Sequence, residues 1–361
     1  MSERLLVDWG LAERVASTVA GSGAGDAQGD PPALDPGAVK DACAKALAAV
    51  RAYTGLDPGT TPEPEVIGRR EWTRAGLGTL RDAAREIEAR VAGQLSAPGP
   101  LGGIVRSVAG AASGAEAGVA VGYAARRVLG QYDVAVVGPT RPARLLFVGP
   151  NLAAVRAELD AEPRPFLLWI AAHELTHALQ FGGVPWLGDH LRALVAELIG
   201  LATREIDFRG LTGRLLRSDP RHLLRSALRG ELVRVLADDE QRRAFARLQA
   251  TMSAIEGHAE HVAAACAAEL DPSVQELQRR AEERRRQRGG LGEAIGRLCG
   301  MDLKLRQYRL GKAFCDRAVA AGGQTALRAL WASPDSLPTA AEIERPEDWV
   351  ERVTTGSPAV A

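Results

Sequence analysis

The chain has 361 residues, 46% hydrophobic and 25% charged, a composition ordinary for a globular protein and sufficient for two structural units or one large domain. Its 45 Lys and Arg balance 45 Asp and Glu, so no global charge draws it to nucleic acid, an anionic membrane or a basic partner. The longest run without a charged residue, Val91 to Val105, is interrupted by Pro98 and Pro100 and is too short to span a bilayer.

The N-terminal residues carry no basic segment followed by an apolar one, so the expected location is the cytoplasm. Leu5 to Ala20 reads as a short amphipathic helix, and the Gly/Pro/Asp-rich segment 20–37 as a flexible connector. Apolar residues recur at three and four from Ala38 to Tyr53 and from Arg74 to Leu95, so the first hundred residues are expected to be all-helical. Ser96 to Gly103 is the best boundary, dividing an N-terminal helical region, 1–95, from a core, 104–361. Ile104 to Leu129 is rich in Gly and Ala. It has the look of a membrane hairpin, but its four charged residues favour close-packed helices in a water-soluble core.

Val134 to Val137 and Arg144 to Val148 are apolar, β-branched runs separated by turn residues, which predicts two strands or a small hairpin. After the turn Gly149-Pro150-Asn151 the expected helices are 166–181, 191–209, 222–248, 252–270, 273–286 and 291–320. Glu276 to Arg288 mixes both charges at helical spacing, the pattern of a solvated, ion-paired face rather than a nucleic-acid surface. Cys43, Cys266, Cys299 and Cys315 are far apart and form no C-x-x-C pair, so they read as reduced core thiols.

All six histidines lie between His173 and His261. Within the apolar run Phe166 to Phe181, the sequence His173-Glu174-Leu-Thr-His177 is H-E-x-x-H. On a helix His173 and His177 share a face, so both imidazoles reach one tetrahedral Zn²⁺. Glu174 then lies beside the water that zinc activates and acts as the general base of a hydrolysis. There is no phosphate-binding G-x-x-x-x-G-K-[ST], no G-x-G-x-x-G after a strand and no G-x-S-x-G, so nucleotide-dependent and serine-hydrolase chemistry have no residues to stand on.

A third ligand has three candidates. Glu197 follows His177 by a spacing similar to that of thermolysin-like enzymes, but Leu201 stands where those carry an acid. Glu256 and Glu260 form an i, i+4 pair in which Glu256 can ligate while Glu260 hydrogen-bonds a ligating histidine. His258 projects from roughly the opposite side of that helix, about 200° away, so it and Glu256 cannot both ligate. Glu256 is preferred, and His261 reads as a surface or supporting residue.

The chain resembles the zincin-like metal-dependent hydrolases common in actinobacteria, some of which are labelled as associated with biosynthesis of the deazaflavin coenzyme F-420. The resemblance rests on Val7-Asp-Trp9, Gly130-Gln-Tyr-Asp133, Pro150-Asn151, Trp169 with His173 to Phe181, Val184-Pro-Trp186-Leu, Glu256-Gly-His258-Ala, Lys304 to Phe314, and Leu337-Pro-Thr with Trp349. It implies a mainly α (α+β) fold: a zincin-like metallohydrolase core with a small β-sheet, preceded by the N-terminal helical region. It also implies a zinc-dependent metalloprotease of undefined substrate. One departure is Glu260, where an Asp is more usual.

The resulting expectation is a zinc-dependent hydrolase of peptide or amide bonds, with His173, His177 and Glu256 as ligands, Glu174 as base, Glu260 behind the ligands, and a peptide or protein substrate. Tyr308 is a candidate oxyanion donor, or simply a packed helical aromatic. Arg144 to Val148 is either an edge strand that pairs with extended substrate or an internal strand. The rivals are a non-catalytic binding or scaffold protein and an accessory protein of deazaflavin metabolism. Neither nucleic acid nor membrane is an expected partner.

Overall fold

The computed structural model describes residues 7–21, 34–91, 100–202, 238–287 and 301–356, with side chains omitted at 91, 100–109, 202, 285–287 and 301–309. In chain order the elements are α1 (Trp9–Ala20), α2 (Pro36–Thr54), β1 (Pro64–Ile67), α3 (Arg69–Val91), α4 (Pro100–Ala125), β2 (Gly130–Asp133), β3 (Arg144–Val148), α5 (Gly149–Glu158), α6 (Pro163–Gly183), α7 (Leu187–Ala202), α8 (Asp239–Leu270), α9 (Ser273–Gln287), α10 (Met301–Ala329), α11 (Ala340–Glu344) and α12 (Pro346–Thr355). The fold is mainly helical with one small sheet, as the sequence led us to expect. The chain forms two compact units, 1–41 with 62–163, and 42–61 with 164–361.

In the first unit α1 is capped by Asp8, whose carboxylate accepts from Leu11 N at 2.9 Å, and it ends at Gly21 in the left-handed region (φ 71°). Its buried Ala12, Ala16 and Ala20 repeat every four residues, and so do Gly114, Gly118 and Gly122 of α4. A Cβ built on those glycines would fall 2.4 Å from Asp8 O, 2.6 Å from Ala12 O and 2.6 Å from Ala16 O. The small residues therefore let two helix backbones touch, and the small-residue segment packs against α1 inside the unit. Among the described residues no helix is long and apolar enough to cross a membrane.

The sheet has the order β1-β3-β2, with β3 parallel to β1 and antiparallel to β2. Leu145 to Val148 are all buried, which is why this strand reads as a continuous apolar run rather than an alternating one. Three expectations are corrected here. β3 is paired on both sides, so it is the internal strand of the two readings and has no free edge for substrate. β2 is Gly130 to Asp133 rather than Val134 to Val137. The first hundred residues are not all helical, because β1 pairs Pro64 with Leu145 and Ile67 with Val148. That pairing crosses the division expected at 96–103, so neither compact unit coincides with 1–95 or 104–361.

Pro150-Asn151 opens α5 rather than forming only a turn. The Asn151 amide donates to the carbonyls of Ala125 and Val128 at 2.8 and 2.7 Å, and its oxygen accepts from Arg69 Nε at 2.7 Å. The last carbonyl of α4, at Ala125, and that of Val128 just beyond the helix are satisfied in this way.

In the second unit α6 is buried on nearly every side, consistent with its apolar sequence all round. α8 is one continuous helix from Asp239, closed by a capping box between Asp238 and Gln241. The sequence reading had broken it near residue 250. Most of the connector expected at 20–37, the end of the helix expected at 191–209, the first part of that expected at 222–248 and the start of that expected at 291–320 lie outside the described residues. The C-terminal elements close over Phe314, Leu330, Leu337, Ile343 and Trp349, all buried. Arg352 fixes this end from within: it pairs with Glu342 at 2.6 Å and donates to Leu337 O and Asp335 O at 3.0 and 2.8 Å. On α9, Arg279 pairs with Glu276 and Glu283, and Arg280 with Glu276, so this charged face is ion-paired. Cys43, Cys266 and Cys315 are buried in the core and form no disulfide, and burial pushes Cys266 up to about 12.

Candidate metal centre

α6 supplies His173, Glu174 and His177, and α8 supplies Glu256 and Glu260. The two imidazoles lie one helical turn apart with ring centroids 4.9 Å apart and planes 85° to each other. Glu256 Oε2 stands 3.4 Å from His177 Nε2 and 3.9 Å from His173 Nε2. One donor atom from each of His173, His177 and Glu256 falls within 4.8 Å of the others.

On another side, α8 crosses α10 at a pair of glycines. A Cβ on Gly257 would lie 2.1 Å from Gly311 C, and one on Gly311 would lie 2.0 Å from Ser253 O. Any side chain at either position would separate α8 from α10. Gly257 follows Glu256 directly, so this backbone contact sets where α8 stands on α10 at the level of Glu256.

The site is largely buried. Glu174, His177 and Glu256 are 6%, 9% and 7% exposed. Burial pulls the His173 imidazolium down, but Glu260, Glu174 and Glu256 outweigh it and push its pKa up to about 9. A field of three carboxylates that holds a proton on an imidazole also favours a divalent cation in the same place.

The donor set fits zinc. Two imidazole nitrogens and a carboxylate oxygen are the chemistry zinc takes with three protein ligands, leaving a position open. Tetrahedral ligand atoms at 2.0–2.1 Å from the ion stand roughly 3.3 Å apart, close to the 3.4 Å seen and within a small side-chain adjustment of 3.9 Å. Behind the donors, Glu260 Oε2 lies 3.5 Å from His173 Nδ1. Gln180 Oε1 lies 2.9 Å from His177 Nδ1.

The alternatives for the third ligand are placed elsewhere. Glu197 on α7 is bound by Arg247 through both carboxylate oxygens, at 2.5 and 2.6 Å. His258 is enclosed by Gln180 and Trp331, 3.1 and 3.3 Å from its two nitrogens, and burial first, then the neighbouring His261 and His177, lowers its pKa to about 3. His261 points away to Tyr53 and Asp316, at 2.7 and 2.6 Å. Tyr308 falls on α10 where the side chains lie outside those described, so its expected role has no geometry to test it. Sequence reasoning missed Gln180 and Trp331. The signal available was an amide three residues after His177 on a helix whose other polar side chains are Arg164, Thr176 and the motif residues themselves.

A helix carrying H-E-x-x-H, met by a carboxylate from a later helix, makes His173, His177 and Glu256 a group that could hold a metal ion. The chain belongs to the zincin-like metallopeptidase family, which matches residues 7–350. Among solved structures it is similar to a protein from Chloroflexus aurantiacus described as "a putative hydrolase with a novel fold", at 30% identity and a TM-score of 0.64, over 96% of this chain and 99% of that one. No curated protein sequence matches it.

Proposed function

We propose that the protein is a zinc-dependent hydrolase of peptide or amide bonds, in which His173, His177 and Glu256 hold the ion. The observation that carries the reading is the meeting of those three donor atoms beside buried Glu174. When bound, zinc supplies Lewis-acid polarisation of the scissile carbonyl and makes water acidic enough to attack it near neutral pH.

The remaining work falls to the chain's own side chains. Glu174 takes the proton of the attacking water and returns it to the leaving amine. One carboxylate beside the reacting water can serve both steps. Glu260 orients His173 through Nδ1, leaving Nε2 directed at Glu256. Burial of the cluster keeps bulk water from competing with the one that reacts.

Glu174→Gln tests this directly. It retains shape and ligands but not the base, so zinc content should match wild type while turnover of a peptide library falls by about 10²–10⁴. A variant that keeps both zinc and turnover would remove Glu174 from the mechanism. A wild type that binds zinc and cleaves nothing would favour a binding protein built on the zincin fold.

A further inference from the structure

Gln180 is completely buried on α6, three residues after His177. Three polar groups surround its amide. His177 Nδ1 lies 2.9 Å from the oxygen, and the Ile255 carbonyl and His258 Nδ1 lie 3.0 and 3.1 Å from the nitrogen. The two ends of an amide have nearly the same shape, so the neighbours decide its orientation.

The Ile255 carbonyl can only accept, so the NH₂ end must face α8. The oxygen then faces His177, where the contact is a hydrogen bond only if His177 carries its proton on Nδ1. We infer that Gln180 is a positioning residue that holds the His177 proton on Nδ1, using the α8 backbone at Ile255 as its reference, and so leaves the Nε2 lone pair for zinc. The consequence for zinc rests on the function proposed above; the hydrogen-bond assignment does not.

A competing arrangement exists and shows what the Ile255 carbonyl accomplishes. With the amide turned over, Gln180 would accept from His258 Nδ1, and His258 Nε2 would accept from Trp331 Nε1, 3.3 Å away. Gln180 would then donate to His177 Nδ1, sending the His177 proton to Nε2 and blocking ligation there. That network satisfies Trp331 but sets the amide oxygen against the Ile255 oxygen at 3.0 Å. A neutral imidazole has a single accepting nitrogen, so the two donors that flank His258 cannot both be satisfied. In the assigned state the acceptor is Nδ1, His258 carries its proton on Nε2, and the same backbone carbonyl fixes the proton positions of both histidines. Because Ile255 immediately precedes Glu256, α8 supplies a ligand and also prepares another ligand on α6.

The test is ¹⁵N-edited NMR of the metal-free full-length protein at pH 8, with zinc affinity measured by chelator competition. In wild type the His177 ring proton should be on Nδ1. Gln180→Leu should move it toward Nε2 and weaken zinc binding about 10- to 100-fold. Gln180→Glu keeps an oxygen that accepts from His177 Nδ1 and should retain the Nδ1 proton. A wild-type His177 protonated on Nε2 would overturn the inference even if Gln180→Leu fails to fold. An unchanged proton position and zinc affinity in a folded Gln180→Leu would overturn it as well. Wild type with the Nδ1 proton but no zinc uptake would support the assignment and defeat the zinc reading, so the two can fail separately.

Discussion

Gly257→Ala isolates the helix crossing that places Glu256. The new Cβ would start 2.1 Å from Gly311 C and 2.3 Å from Gly311 O, whereas ordinary contact begins near 3.4 Å. The backbones of α8 and α10 must therefore part locally by at least about 1.3 Å, the difference of those two distances. Overpacking of this kind costs about 1–3 kcal/mol. Zinc ligands tolerate only about ±0.2 Å, so a shift several times larger in the residue beside Glu256 should lower zinc affinity at least tenfold, the smaller effect seen when an outer partner is lost. Thermal unfolding and competitive zinc titration measure the two consequences. Gly118→Ala is the control: its Cβ would lie 2.6 Å from Ala12 O in the first unit, so it should destabilise without changing zinc affinity. A folded Gly257→Ala that binds zinc as wild type does would refute the claim that the glycine contact sets the ligand position.

Glu256→Ala should reduce zinc affinity far more than His258→Ala, and equilibrium titration of both variants checks the order; the reverse order would transfer the ligand role. Removing zinc with a chelator should lower the unfolding temperature, and adding it back should restore it, because zinc at a hundred times its dissociation constant contributes about 2.7 kcal/mol to the folded state. Arg352→Met should cost about 3–5 kcal/mol, since it leaves Glu342 buried without its cation. Burial raises the Glu342 carboxyl, but Arg352 and Thr339 outweigh it and hold the group below its ordinary value. Its stabilising contribution is therefore present above the unfolded pKa and is lost as pH falls through the depressed folded value. Denaturant midpoints against pH should show that acid loss in wild type and a shallower one in Arg352→Met.

Most of the long helices and the H-E-x-x-H pattern on α6 were legible because their signals are local. Apolar spacing marks α6, and His173 and His177 are neighbours by helix geometry alone. β3 was legible as an unbroken apolar run. β1 was not, because Pro64-Glu65-Val66-Ile67 is short and acquires strand character only by pairing with β3, 81 positions later at Pro64 and Leu145. β2 was misplaced because Gly130-Gln-Tyr-Asp133 is less β-branched than the loop residues that follow it. For the third ligand the sequence supports a preference for Glu256 over Glu197 and His258 and no more, since spacing does not reveal that Arg247 engages one and Trp331 encloses another. Gly257 and Gly311 were visible as residues, but a close approach between distant helices has no signature in either helix alone.

Elemental analysis of purified wild type and His177→Ala, after equilibration with zinc and removal of excess, tests the central claim most directly. The account predicts one zinc per chain in wild type and almost none in the folded variant. A wild type that retains no zinc, or a variant that retains it in full, would contradict the assignment of His173, His177 and Glu256 as a metal centre.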